Sequence, residues 1–244
     1  TAQVRAAVAA RRRLLQLSVA AVVVAVNWGT YIYGVSSGQV VETSLGYFVN
    51  PIVTVLLGVL VLGERLRPAQ WAAMSMAFVA VVVLTVENGR PPWIALVLAF
   101  SFGTYGLLKK TAGVGAVEGL AIETAVLFPV AALFVTYLGI SGVGTFGSEG
   151  PAHAGLLALS GVVTAVPLLM FGAAASRIPL STLGVLQYLA PTIQFVLGVT
   201  LFDEPLPPVR LLGFLLVWTG LAMFTVDLVR QHRRQLRLAV TATA

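Results

Sequence analysis

Eight runs of about 20 apolar residues divide this 244-residue chain and leave almost nothing over for any other kind of structure. They fall at roughly 14–34, 39–62, 69–87, 91–110, 117–139, 152–175, 179–202 and 207–229, with charges, Pro and Gly at their ends. A helix of that length matches a hydrocarbon layer about 30 Å thick. Inside that layer each backbone N–H and C=O must be bonded within the protein, so the runs are expected to be helices. The links are a few residues long, except the Gly-rich stretch from Gly139 to Gly150, so successive helices must alternate in direction. Composition agrees with this reading. Charged residues are 10% of the chain and hydrophobic ones 58%, whereas a soluble domain carries about a quarter charged residues. The mean hydropathy is +0.95. The expectation is an all-α integral membrane protein of eight transmembrane helices.

The positive charges test that count independently. With the N-terminus in the cytoplasm and strict alternation, the inner segments hold thirteen of the fifteen Lys and Arg. Only Arg90 and Arg210 fall outside. So one-sided a distribution is the positive-inside pattern and puts both ends of the chain in the cytoplasm. It also explains the net charge of +6 without nucleic acid. The basic stretch 230–244 reads as a cytoplasmic tail held at anionic lipid. The first apolar run continues straight into a full span with no small-residue cleavage site, so it is not read as a signal peptide. There are no cysteines, which rules out disulfide and thiol chemistry, and the two His show no ligand spacing. Neither metal nor cofactor is expected.

The chain also repeats itself. A shift of 140 residues lays Pro51 on Pro191, Leu57 on Leu197, Gly58 on Gly198 and Val59 on Val199. It also lays Glu64 on Glu204, Leu66 on Leu206 and Pro68 on Pro208. Leu and Val coincide easily in apolar helices; matched Pro, Gly and Glu across a helix–loop–helix boundary do not. The second run is thus paired with the seventh, five runs later, and the two copies cross the membrane in opposite directions. Inverted repeats are a signature of secondary transporters. A five-helix unit used twice needs ten spans. Residues 1–87 are therefore read as the last three helices of a first unit, 91–229 as a complete second unit, and the chain as lacking a first hairpin.

The stretch from Glu42 to Pro51 (ETSLGYFVNP), followed by Leu62-Gly63-Glu64-Arg65 and Trp71, resembles the EamA transporters of the drug/metabolite transporter superfamily, and within them the RarD branch. Leu98-Ala-Phe-Ser-Phe102, Tyr105-Gly-Leu107, Ile122-Glu-Thr124, Val163-Thr-Ala-Val-Pro-Leu168, Leu180-Ser-Thr-Leu-Gly184, Gln187-Tyr188 and Pro191-Thr192 extend the resemblance over nearly the whole chain. It implies a bacterial inner-membrane permease of ten helices in two inverted five-helix units, both termini cytoplasmic. Such a permease moves small metabolites or drugs by alternating access, often outward. RarD proteins are often labelled chloramphenicol-resistance permeases.

Polar side chains are costly in a bilayer, so helical stripes of them are candidates for a solute path. On the second run Tyr47, Asn50 and Thr54 share a face; on the seventh Gln187, Tyr188, Pro191 and Gln194 do. The 140 shift lays Tyr47 on Gln187 and Thr54 on Gln194. Asn27 and Tyr31, Ser101 and Tyr105, and Thr164 add to the set. The plainer alternative for each is hydrogen bonding between helices. Pro51 and Pro191 each remove a helix bond inside a span and are candidate hinges. Glu42 and Glu123 are the carboxylates that could couple transport to protons; alternatively Glu42 faces a helix N-terminus and Glu123 pairs with Lys109 or Lys110. Glu64 and Glu204 are expected to cap or pin loops. Two other functions compete. Gly139-Ile-Ser141-Gly142, with His153 nearby, fits the G-x-S-G of intramembrane serine proteases, although both lie around an exposed Gly-rich loop. A channel would want a continuous polar ring. The expected partners are a small neutral or zwitterionic solute, the lipid bilayer and, for coupling, protons.

Overall fold

The computed structural model describes residues 10–88, 91–146, 148–201 and 208–242. Among them are nine helices and no strand: α1 (Arg11–Ser36), α2 (Val40–Leu62), α3 (Pro68–Asn88), α4 (Trp93–Ala112), α5 (Ala116–Ile140), α6 (Pro151–Arg177), α7 (Leu180–Leu186), α8 (Leu189–Leu201) and α9 (Pro208–Ala242). Since α7 and α8 share one apolar run, these are the eight expected spans. By length and composition α1, α5 and α6 can each cross a membrane, as can Glu42–Leu62 of α2 and Pro68–Val86 of α3. α9 continues helically from its apolar run through the basic stretch as far as Ala242.

The repeat appears as helix register. Arg11 and Pro151, Val40 and Leu180, and Pro68 and Pro208 open α1 and α6, α2 and α7, and α3 and α9. Each pair of openings is 140 residues apart. The boundaries have local causes. Pro151 starts α6 at a position whose N–H has no partner to lose. Gly63, at φ +67, ends α2 in the left-handed conformation that glycine adopts without strain.

The chain forms two compact units, whose division falls inside α1 and inside α4. One holds residues 27–103 and 179–244. Its core lies where the repeat-related helices meet, α2 against α7 and α3 against α9. Phe48, Ile52 and Val55 of α2, Met74 of α3, Tyr188, and Phe214 and Phe224 of α9 make one buried cluster. Small residues allow the close approach that membrane helices use in place of a hydrophobic driving force. A Cβ on Gly184 would lie 2.8 Å from Val55 Cγ2 and 3.0 Å from the Pro51 carbonyl; one on Gly220 would lie 3.0 Å from the Ala73 carbonyl. The other unit holds residues up to 26 and 104–178, with α5 packed on α6.

Proline acts differently in the two repeats. The seventh run breaks at Gln187–Tyr188 because Pro191 has no N–H for the Gln187 carbonyl. That carbonyl instead accepts from Ala190 at 3.2 Å, one residue too soon for an α-helix. Pro51, its repeat mate, leaves α2 unbroken. The difference is packing. Residues 51–55 are all buried, with Gly103 of α4 and Gly184 of α7 close against them, while Leu186, Leu189 and Ile193 beside the break are exposed.

Candidate functional site

The polar stripes of α2 and of the seventh run meet at this break. Asn50 Nδ2 donates to Gln187 Oε1 at 2.7 Å, and Thr54 Oγ1 makes a long 3.5 Å bond to Asn50 Oδ1. Asn50 and Gln187 are half-buried and Thr54 is fully buried. Gln187 Nε2 is shielded from solvent and has no hydrogen-bond partner among the described residues. An orphaned buried amide donor costs about 1–3 kcal/mol, so it is a place where an acceptor group would be welcome. Tyr188 is buried, and its hydroxyl donates to the Phe48 carbonyl at 3.1 Å. Phe48 and Tyr188 stand 140 residues apart and are repeat mates, so the bond joins equivalent points of the two copies.

The remaining candidates of this unit lie apart from that bond. Tyr31 and Tyr47 meet edge to face with ring centroids 6.3 Å apart. Asn27 Nδ2 donates to Ser101 Oγ and to the Leu98 carbonyl, both at 2.9 Å, tying α1 to α4. Glu42 is fully buried, and its Oε1 accepts the Ile94 N–H at 2.8 Å, so it caps the first turn of α4. Pro191 is buried beside the break. Gln194 lies on α8, but its side chain is outside the described residues, as is Glu204.

The other unit holds a buried ion pair. Lys109 Nζ contacts Glu123 Oε1 at 2.8 Å, with the side chains only 4% and 2% exposed. Tyr105 donates its hydroxyl to Glu123 Oε2 at 3.1 Å and stacks on Phe171. Two glycines make the slot for the lysine. A Cβ on Gly119 would lie 2.7 Å from Lys109 Nζ, and one on Gly172 would lie 3.0 Å from Cε. Nothing in the sequence pattern pointed to that slot, because the glycines lie on two different helices. Lys110 takes the other role open to it, donating to the Ile178 carbonyl at the end of α6 at 2.6 Å. Thr164 is half-buried on α6. Ser141 Oγ donates to the Leu138 carbonyl, while the His153 ring meets Thr145 at 3.1 Å and Glu149 at 3.4 Å. The two members of the protease alternative are thus engaged separately. A cavity of about 500 Å3 opens beside Arg11, Arg12, Leu15, Gln16, Val19 and Leu108, and none of the predicted site residues lines it.

Residues 5–86 match the EamA-like transporter family. Protein RarD of Streptomyces exfoliatus is 57% identical over 223 residues, covering 91% of this chain and 71% of that protein. The chain belongs to the EamA-like transporter family, as a RarD-type permease. The uncharacterized transporter YojE of Bacillus subtilis (strain 168) is 41% identical over 90% of this chain and 73% of its own length. A solved crystal structure, 20% identical, superposes with a TM-score of 0.58 over 90% of this chain and 88% of the other, which shows the fold. As an EamA transporter this is a multi-pass membrane protein that acts on a small-molecule substrate, and its candidate site is read in those terms.

Proposed function

We propose that this RarD-type permease carries small neutral or zwitterionic solutes out across the bacterial inner membrane by alternating access, with Asn50 and Gln187 at the centre of the solute site. The observation that carries the reading is the Gln187 amide, held by Asn50 at a broken helix, its shielded Nε2 without a partner among the described residues. Broken helices at mid-membrane are where transporters of repeat architecture bind substrate, because freed backbone groups and side-chain amides can replace a solute's hydration there. The Tyr31–Tyr47 pair supplies aromatic surface, and Asn27 and Ser101 supply further polar contacts in the same unit. Repeat halves 1–87 and 91–229, with both ends cytoplasmic, fit the helix register and the charge asymmetry. Pro191, at the break, serves as the hinge, and Pro51 as its clamped counterpart.

Proton coupling is assigned to Glu123 ahead of Glu42. Glu42 is committed to the α4 cap, whereas Glu123 shares its charge with a lysine whose pairing a proton would break. The test is solute flux into proteoliposomes containing the complete protein, under an imposed pH gradient, with amino acids, small metabolites and chloramphenicol as candidates. Gradient-driven flux, lowered at least tenfold by Gln187→Ala at unchanged membrane insertion, is the expected result. Flux indifferent to Gln187→Ala would remove that residue from the site; flux of normal size through Glu123→Gln that still follows the gradient would remove Glu123 from coupling.

A further inference from the structure

The turn after α2 is built around one carboxylate. Glu64 Oε1 accepts the backbone N–H of Leu180 at 2.7 Å, and Oε2 accepts that of Ser181 at 2.8 Å. Both donors belong to the first turn of α7, where the helix itself offers them no acceptor. A two-oxygen carboxylate cap is charge-assisted and fixes direction as well as distance. The local sequence places it. Gly63 takes φ +67, and both its own N–H and that of Glu64, the latter at 3.0 Å, return to the Gly58 carbonyl and close α2. Gly58 also leaves the room. A Cβ there would lie 2.9 Å from Glu64 Oε2 and 3.2 Å from the Ser181 nitrogen. Gly58, Gly63 and Glu64 are therefore one device, and Gly58 and Glu64 are both letters of the 140-residue repeat.

What the device holds is a short rod. The seven residues of α7 span about 10 Å and end at Leu186, with Gln187 the next residue. Along its length the rod touches α2 at the Gly184 contact with Pro51 and Val55, and at its far end the Gln187 amide meets Asn50. Glu64 fixes one end and Asn50 meets the other, so sliding the first moves the second. We infer that Glu64 is a positioning residue for the solute site: by capping α7 it sets the height of Gln187 against Asn50 without touching the solute. The inference rests on the proposed function for its transport readout, but its structural part can be read without any transport.

The structural part uses the absence of cysteine from the chain. Ser181→Cys introduces a single thiol at a buried position, 6% exposed. With Glu64 intact its reaction with maleimide in membranes should be slow; with Glu64→Ala it should speed up roughly tenfold, the scale of losing a helix cap. Glu64→Gln, which keeps one acceptor oxygen, should fall between. Equal rates in all three backgrounds would overturn the inference, whatever the flux assay gives. The transport part is a double-mutant cycle. Glu64→Ala alone should raise KM for the carried solute roughly tenfold, with Vmax changing less, and should add little once Gln187→Ala is present. Independent effects that multiply would show that Glu64 merely staples the fold and would overturn the positioning role. If no solute is carried by the unmodified protein, the proposed function fails while the thiol rates still decide whether Glu64 holds α7.

Discussion

Lys109 and Glu123 show how far one buried pair can organise its surroundings. Taking both charges out of water is costly, and the 2.8 Å contact, the Tyr105 hydroxyl and the two-glycine slot together offset that cost. Removing one partner leaves the other uncompensated. Lys109→Met or Glu123→Leu should each lower stability by about 3–5 kcal/mol, while the double replacement should be far milder. Thermal unfolding in detergent of the two single variants and the double variant checks this; additive losses would contradict it. Gly184 is a second position where one atom decides. A Cβ there would meet Val55 Cγ2 at 2.8 Å and the Pro51 carbonyl at 3.0 Å, and the carbonyl, being backbone, has little room to yield. Gly184→Ala should cost about 1–3 kcal/mol through overpacking, measured by the same unfolding assay.

The repeat-related proline helices separate intrinsic preference from packing. Both carry the same residue at the equivalent place, and only the seventh run breaks, where the flanking side chains are exposed. Pro191→Ala restores the N–H that the Gln187 carbonyl lacks, so α7 and α8 should join into one helix. The expected outcome is a higher Tm with slower solute flux, since the break carries the amide site. Pro51→Ala should change flux less, because α2 is already continuous there. Faster flux in Pro191→Ala would show that the break is not needed for movement.

Taken whole, the molecule exposes apolar surface that water would not tolerate. On α5 and α6, Leu133, Phe134, Ile140, Leu156 and Met170 are each at least 60% exposed. Patches of this kind mark a surface made for another apolar phase, here lipid. Leu133→Arg should therefore hinder insertion by about 2.5–3.5 kcal/mol, the cost of Arg at the centre of a membrane helix. A glycosylation-based insertion assay reads it directly, and normal insertion would mean that this face does not meet hydrocarbon. The orientation is open to a simpler test. A cysteine at Ser148, on the exposed Gly-rich connection, should react with an impermeant maleimide from outside the cell. Labelling only after the cytoplasmic side is opened would reverse the topology.

Much of this architecture was legible before any coordinates. Apolar length and charge asymmetry depend on the bilayer, which acts on each segment in turn, so a linear sequence records them faithfully. The 140-residue repeat is likewise a property of the string, and the openings of α1, α2, α3, α6, α7 and α9 follow it. The pairing of Glu123 with Lys109 or Lys110 was readable because a short link joins α4 to α5, whereas the partners of Glu64, Leu180 and Ser181, lie more than a hundred residues away. Three features belonged to tertiary structure alone. Only packing decided that Pro191 breaks its helix and Pro51 does not. Only the approach of α2 to α7 made Gly58 and Glu64 one device and left Gln187 Nε2 buried beside Asn50. Only the fold engaged Tyr188 with the Phe48 carbonyl and Tyr105 with Glu123, although both tyrosines sit on polar stripes. A stripe says which face of a helix is polar; which neighbour that face meets depends on residues of other helices, 18 positions away for Tyr105 and 140 for Tyr188, and the pattern of one helix does not contain it.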